Sequence, residues 1–473
     1  MRFFCNKDNL SADIEEILRA FGGEMLDKDD GKSVEVEIEF IGENQAEILL
    51  KYSDEKNNVR NTYENRVNLE DVCDPLKLKS EAKRAAKIML YDLLSALSGK
   101  SLPYGSLTGV RPSKLYHDLT KKGEDAFELF TKEYRVSEEK ARLVRQICRE
   151  QEGLKSEDPL SADIFVNIPF CTSRCSYCSF ISAEIGRVKK FVPAYVELLE
   201  REIENALEIV RRRGFKLRAV YFGGGTPTAL DKGSLFRLLA PFKGIEAEFT
   251  VEAGRPDSIE KDKLDVMDEM GVTRISVNPQ SLNDKTVKLI GRKHCAADFF
   301  AAFELARKYP FDINCDVIAG LPGESAEDFR RTAEGVFSLL PENVTVHTLA
   351  LKKGSGLKVS GYDNSGGETG EMVDLARELA RKNGYKPYYM YRQKYMSGNL
   401  ENTGYALAGK ACIYNIDIME ECANIIACGA GGISKLWIPG ENRLERLADP
   451  KGLDVYLVRG DELLKAKESF FGL

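Results

Sequence analysis

Between residues 163 and 350, six short apolar runs, "DIFVNI", "LRAVYF", "AEFTVE", "TRISVN", "DINCDVI" and "VTVHTLA", alternate with longer stretches of helical periodicity. The intervening stretches, such as "FVPAYVELLEREIENALEIVRRRG" and "IEKDKLDVMDEMG", end in glycine, which tolerates the left-handed conformation that closes a helix. Strands this short, joined by helices, pair in parallel through right-handed crossovers. Six units therefore predict an α/β fold, an incomplete (β/α)6 barrel with two units missing from the usual eight. In such a barrel the C-terminal ends of the strands converge on one face, and chemistry belongs there.

A chain of 473 residues exceeds the size at which one core stops growing, roughly 250 to 300 residues. We expect three parts: a small N-terminal α+β domain over 1–155, the partial barrel over 156–364, and a C-terminal α+β cap over 365–473. In the first, "SVEVEIEFIG" and "AEILLKYSD" alternate apolar and polar residues around the turn "EN" and read as a hairpin. A helical pattern, "EAKRAAKIMLYDLLSAL", follows, and after the loop "GKSLPYGSLTGVRPS" further amphipathic helices run to about Glu152. The charged, turn-rich "EGLKSEDPLS" reads as the linker to the barrel. The last part opens on the helix "ETGEMVDLARELARKNG" and carries "YKPYYMYRQKYMSGNLENTGY" and the glycine-rich "CGAGGIS".

The net charge of -7 argues against a non-specific nucleic-acid binder. No apolar run approaches the roughly 18 residues of a membrane span, and "MRFFCNKDNLSADIEE" lacks the apolar core of a signal peptide, so we expect a cytosolic protein with no membrane span. Its eleven cysteines then read as thiols rather than a disulfide framework. Eight of them, Cys5, Cys73, Cys148, Cys295, Cys315, Cys412, Cys422 and Cys428, are scattered and read as small core residues.

The remaining three, Cys171, Cys175 and Cys178, follow the first barrel strand at spacings of four and three. Three sulfurs make an incomplete tetrahedral site. Structural zinc normally recruits four protein ligands, and the nearest later candidates, His294 and Cys295, stand more than a hundred residues on. An iron-sulfur cluster with one iron free for a small molecule uses such a pattern more readily, with zinc the alternative. After the second strand, "VYFGGGTPT" lets the backbone approach a ligand closely and exposes its amides, although a tight strand-helix turn would also explain it. Glu252, Gln280 and Asp316 fall at or near the ends of the third, fourth and fifth strands, where they would converge on a polar ligand.

These motifs resemble the radical S-adenosylmethionine (SAM) enzymes, and the set "IPFCTSRCSYCSF", "FGGGTPT", "VEAGRP", "VNPQSLND", "IGRKH" and "VIAGLP" more closely resembles the oxygen-independent coproporphyrinogen III oxidase group. "GSLTGVRPSKL" and "YYMYRQKYMSGNLENTGY" further resemble its coproporphyrinogen dehydrogenase, HemZ-like branch. The resemblance implies that Cys171, Cys175 and Cys178 ligate a [4Fe-4S] cluster whose fourth iron chelates SAM. It also implies that Gly224, Gly225, Thr226 and Glu252 hold that SAM, and that Gln280, Arg292 and Asp316 contact a second. Phe165, Ala350 and Ile433 complete the expected cofactor-binding set. Cleavage of SAM would yield a 5′-deoxyadenosyl radical that takes hydrogen from a propionate of coproporphyrinogen III, and loss of carbon dioxide and one electron would leave a vinyl group. Two such steps give protoporphyrinogen IX in heme biosynthesis. The implied partners are a porphyrinogen or heme-like small molecule and a reducing electron donor such as flavodoxin or ferredoxin.

Two departures stand out. Oxidases of this group carry Tyr and His where this chain has Phe165 and Asn167, and a further cysteine where it has Phe180; the latter resembles the heme-chaperone relatives. The alternatives are thus a heme-binding chaperone or a heme-modifying radical methyltransferase. An acidic macrocycle needs cations, and Lys352, Lys353, Arg392 and Lys394, the last two among Tyr388, Tyr389, Tyr391 and Tyr395, are the candidates.

Overall fold

The computed structural model describes residues 1–21, 31–69, 74–109, 111–180, 182–352, 354–359, 367–394, 396–438 and 443–473. The expected positions Cys73, Lys353 and Tyr395 lie outside them. The chain forms two compact units, Met1–Arg145 with Arg392–Leu400, and Gln146–Tyr391 with Glu401–Leu473.

In the first unit a four-stranded sheet runs in sequence order: β1 (Arg2–Cys5), β2 (Lys32–Ile41), β3 (Gln45–Asp54) and β4 (Val59–Asn68). The expected hairpin is β2 and β3, antiparallel from Lys32 opposite Asp54 to Ile41 opposite Gln45. Every second residue, Val34, Val36 and Ile38 on one strand and Ala46, Ile48 and Leu50 on the other, is buried with the helices Asp8–Ala20 and Pro75–Ser98. Asp74 caps the second helix, its carboxylate accepting from Leu76 N and Lys77 N.

The second unit contains an eleven-stranded sheet. Its strands, with a short pair beside them, are β5 (Ser161–Ile168), β6 (Phe170–Cys171), β7 (Ala183–Glu184), β8 (Lys216–Gly224), β9 (Glu248–Val251), β10 (Arg274–Ser276), β11 (Asp312–Ala319), β12 (Asn343–Thr348), β13 (Lys386–Tyr391), β14 (Asn402–Ala406), β15 (Asn424–Cys428), β16 (Ile433–Ile438) and β17 (Arg443–Ala448). β6 and β7 pair separately; the large sheet has the order β13-β14-β12-β11-β10-β9-β8-β5-β15-β16-β17. The six expected strands are β5 and β8 to β12, all parallel, in an open sheet rather than a closed barrel.

The expected boundary at 364 and 365 separates no compact unit. β15 pairs in parallel with β5, Asn424 opposite Ala162 to Cys428 opposite Val166, and β14 pairs antiparallel with β12. Both outer strands of the parallel set would otherwise leave unpaired backbone groups, and the C-terminal residues satisfy them. The N-terminal boundary falls within the helix Glu138–Glu150, ahead of the expected linker.

Candidate active site

The loop that carries the three cysteines leaves the C-terminal end of β5 and is closed at its base by β6 and β7, with Cys171 opposite Glu184. Three other segments frame it. The glycine turn after β8 donates from Gly225 N to Ile168 O at 2.8 Å and from Thr226 N to Phe170 O at 2.7 Å. The turn after Ile290 accepts from Ser176 N at 2.9 Å and, through Gly291 O, from Ser173 Oγ at 3.0 Å. Leu357 N donates to Ser176 O at 2.9 Å, and Arg174 Nη2 donates to Gly354 O at 2.9 Å. Glycine is required where these segments meet: a Cβ on Gly225 would lie 2.5 Å from Phe170 O, and Gly224 sits at φ +95° with Asn167 Oδ1 where its Cβ would be.

Each thiol is partly buried, and burial pushes Cys171 up and Cys178 up to about 11. Donors reach two of the sulfurs: Arg255 Nη1 donates to Cys175 Sγ at 3.4 Å, and Thr226 Oγ1 donates to Cys171 Sγ at 3.6 Å, a bond that works against the rise at Cys171. Arg255 is buried and fixed by Asp257, at 2.9 Å from Nε, and by Ser173 Oγ, at 2.9 Å from Nη2. Among the described residues, no group of three or more His, Cys, Asp or Glu side chains is gathered to hold a single metal ion. A cluster asks for one thiolate per iron.

Beyond the loop, the strand ends converge as expected. Glu252 directly follows β9 and accepts from Tyr221 Oη at 2.6 Å; burial raises its carboxyl to about 7, the Asp316 charge adding to the rise. Burial works to raise Asp316, within β11, but His347 and hydrogen bonds outweigh it and keep this carboxyl below the usual range, with His347 Nε2 at 3.5 Å and the amides of Asn278 and Asn314 at 2.9 and 2.8 Å. Tyr391 Oη lies 3.3 Å from the other nitrogen of His347. Gln280 lies beyond β10 and bridges to Val317, at φ +65°, a conformation costly for any residue but glycine. Arg292 donates to Gly254 O at 2.6 Å and to Tyr177 Oη at 3.4 Å.

The outer members of the expected set sit differently. Phe165 faces Tyr221 and Tyr414 in a stacked trio, with ring centroids 6.3 and 6.0 Å away. Ala350 follows Leu349, which packs in the apolar cluster beneath Tyr177. Ile433 opens β16 with its side chain exposed, after a loop that Asn167 holds by donating to Ala430 O.

The expected cations are only partly at the mouth. Burial lowers Lys352, while Arg392 and Lys394 belong to the first unit: Arg392 lies over the Tyr104 ring and donates to Leu107 O, and Lys394 pairs with Glu16 at 3.1 Å and Asp13 at 3.6 Å. Tyr388 and Tyr389 are buried packing residues. Of the scattered cysteines, Cys148, Cys315, Cys412, Cys422 and Cys428 are buried, whereas Cys5 and Cys295 are partly exposed. Arg255, Tyr221, Tyr177 and His347 were not singled out from the sequence; the first two stand inside "VEAGRP" and "VYFGGG", next to residues that were.

The site suits a ligand larger than an ion. Gln280 Oε1 and Arg292 Nε are buried with no protein partner, and a Cβ on Gly223 would stand 3.3 Å from the Glu252 carboxyl, so the glycine keeps that carboxyl open. A three-thiol loop at the mouth of a partial barrel defines a radical SAM protein, and residues 166–336 match the family model described as the Radical SAM superfamily. Within it, the chain belongs to the oxygen-independent coproporphyrinogen-III oxidase-like family: it is 36% identical over 422 residues to the oxygen-independent coproporphyrinogen-III oxidase-like protein HemZ of Bacillus subtilis, covering 83% of this chain and 82% of that one.

It is also 34% identical over 196 residues to the heme chaperone HemW of Bacillus subtilis, covering 40% of this chain and 50% of that one. The coproporphyrinogen III oxidase HemN of Escherichia coli shares the fold, with a TM-score of 0.51 and 22% identity over 67% of this chain and 73% of that one. The cofactors of the superfamily are a [4Fe-4S] cluster and SAM. Among the described residues, no helix is long and apolar enough to cross a membrane.

Proposed function

We propose that this chain catalyses the oxygen-independent oxidative decarboxylation of coproporphyrinogen III to protoporphyrinogen IX, as a radical SAM coproporphyrinogen dehydrogenase. The observation that carries the proposal is the loop of Cys171, Cys175 and Cys178, held by three segments at the barrel mouth and backed by Arg255. The three thiolates would hold three irons of the cluster. Gly224, Gly225 and Thr226 would lie along SAM, Glu252 would accept from its amino group, and Gln280, Arg292 and Asp316 would meet a second SAM or the substrate. When bound, cluster and SAM supply one-electron chemistry that removes hydrogen from an unactivated carbon.

The chain's own residues do the rest. Arg255 and Thr226 offset the negative charge that gathers on the sulfurs. Glu252, near neutrality between its two forms, and Asp316, kept anionic by His347, offer one adjustable and one fixed negative group. The aromatic trio of Phe165, Tyr221 and Tyr414 forms an apolar wall that excludes water from reactive intermediates. A one-electron donor such as flavodoxin or ferredoxin would serve the site. Exposed Phe180, in place of a fourth nearby thiol, favours a second reading, a heme-binding chaperone.

An anaerobic assay decides. Reconstituted protein, supplied with SAM, a reductant and coproporphyrinogen III, is expected to form 5′-deoxyadenosine together with a divinyl, dicarboxylate porphyrinogen. Deoxyadenosine without the vinyl product would overturn the enzyme reading, and tight stoichiometric heme binding would support the chaperone.

A further inference from the structure

β4 is the outer strand of the first unit's sheet. It pairs with β3 in unbroken register from Val59 to Asn68, and among the described residues no strand lies on its other side. Nine of its ten residues are exposed, including Tyr63 at 43%, so both its faces as well as its backbone edge meet solvent. Proteins normally blunt such an edge with charged side chains, above all lysine, or with proline, a bulge or brevity. Of these, "VRNTYENRVN" has only the charges of Arg60, Glu64 and Arg66, of both signs.

The strand is also nearly the same read from either end. About Tyr63, Val59 mirrors Val67, Arg60 mirrors Arg66, and Asn61 mirrors Asn65; only Thr62 and Glu64 differ. A two-fold axis between antiparallel strands places each residue opposite its mirror. We propose that β4 pairs with β4 of a second copy of this chain about an axis at Tyr63, joining two four-stranded sheets into one of eight.

On one face of that ribbon valine meets valine, asparagine meets asparagine, and Tyr63 meets its counterpart. On the other, Thr62 faces Glu64, and Glu64 stands one diagonal step from both Arg60 and Glu64 of the other copy. Arg66, opposite Arg60, already carries Glu47 of its own β3 at 2.8 Å. Each copy brings Arg60, Arg66 and Glu64 to this face of the ribbon, and Glu47 of β3 offsets the Arg66 charge. Centring the pair on Thr62 instead would set Tyr63 against Asn61 and Val59 against Asn65, matching apolar groups with amides. The occupant is therefore another copy in this one register.

The test uses the full-length protein. Sedimentation velocity from about 1 to about 100 µM is expected to show a monomer–dimer equilibrium, and Tyr63→Lys, which sets like charges opposite one another, to raise the dissociation constant at least about tenfold. Directly opposed strand residues lie within disulfide reach, about 4.5 to 5.5 Å between Cα atoms. Mild oxidation of Tyr63→Cys should therefore give, on peptide mapping, a disulfide that joins the substituted position of one copy to the same position of the other. Asn61→Cys and Asn65→Cys should bridge when mixed and not alone. A monomer throughout the range, or a dimer that forms neither bridge and tolerates Tyr63→Lys, would overturn the proposal. All these positions are exposed, so melting temperatures measured at about 1 µM, where the monomer prevails, are expected to be unchanged for each variant.

Discussion

The hydroxyl of Tyr221 lies 2.6 Å from Oε1 of Glu252 and donates to it, at the end of the strand that carries the glycine turn. Burial holds this carboxyl near 7, and the hydrogen bond pulls it back toward the carboxylate. An iron-bound amine still donates N–H bonds, which an ionised carboxylate accepts more strongly than a protonated one, so affinity for SAM is expected to rise with pH through about 7. Tyr221→Phe removes the group that favours ionisation, so the midpoint should move to higher pH and affinity at pH 7 should fall about three- to tenfold. Calorimetric titration across pH 6 to pH 8.5 measures both. The linkage to stability has the opposite sense: with a folded value above the unfolded value of about 4.3, this group's contribution is fully present below the unfolded value and is lost as pH rises through about 7.

Cys175 receives the Arg255 guanidinium at 3.4 Å and is only partly buried. Cys175→Ala should abolish iron retention and lower 5′-deoxyadenosine formation by more than about a thousandfold. The loop's hydrogen bonds from the Ser173 hydroxyl and from the backbone of Ser176 and Leu357 do not involve the thiol, so unfolding stability should change by less than about 1 kcal/mol. Iron analysis and urea denaturation of the apoprotein separate the two effects.

Gly225 is packed against backbone rather than a movable side chain, with Phe170 O 2.5 Å and Ile168 O 2.8 Å from the position a Cβ would take. Gly225→Ala should therefore cost about 1 to 3 kcal/mol, the range for overpacking, and displace β6 with its cysteine. A lower urea midpoint together with reduced iron content is expected. Gly244→Ala, where nothing stands within 4 Å of the added carbon but φ is +81°, serves as the control for strain alone.

Behind the sheet, Lys467 of the last helix inserts a buried ammonium between Glu202 and Asp449, the latter at 2.9 Å. Glu202 also accepts from Gly429 N and Tyr456 Oη, each at 2.6 Å. Lys467→Met strands these carboxylates without a counterion and should cost about 3 to 5 kcal/mol. Adding Glu202→Gln should recover part of the loss, because one uncompensated charge is removed. Thermal unfolding of the two variants measures the difference.

The cysteine loop, the glycine turn and Glu252 could be placed from sequence because strand-helix alternation fixes which residues end strands, and strand ends in this architecture face one volume; Asp316 stands within β11, short of its end. β4 could not: a polar strand exposed on both faces shows no alternation. Nor could the partners of Arg392 and Lys394, which lie among tyrosines in the sequence yet bind Leu107, Asp13 and Glu16 in space.

Local periodicity and spacing by themselves determined the six parallel strands, the helices between them and the position of three thiols at the mouth. Only the tertiary structure decided that the C-terminal residues would extend the barrel sheet at both ends, with β14 beside β12 and β15 beside β5. It also decided that Arg255 and Tyr221 would point at Cys175 and Glu252. Those contacts join residues far apart in sequence, and what selects them is the need to pair open strand edges and to give each buried charge a partner, conditions that exist only once the chain has closed on itself.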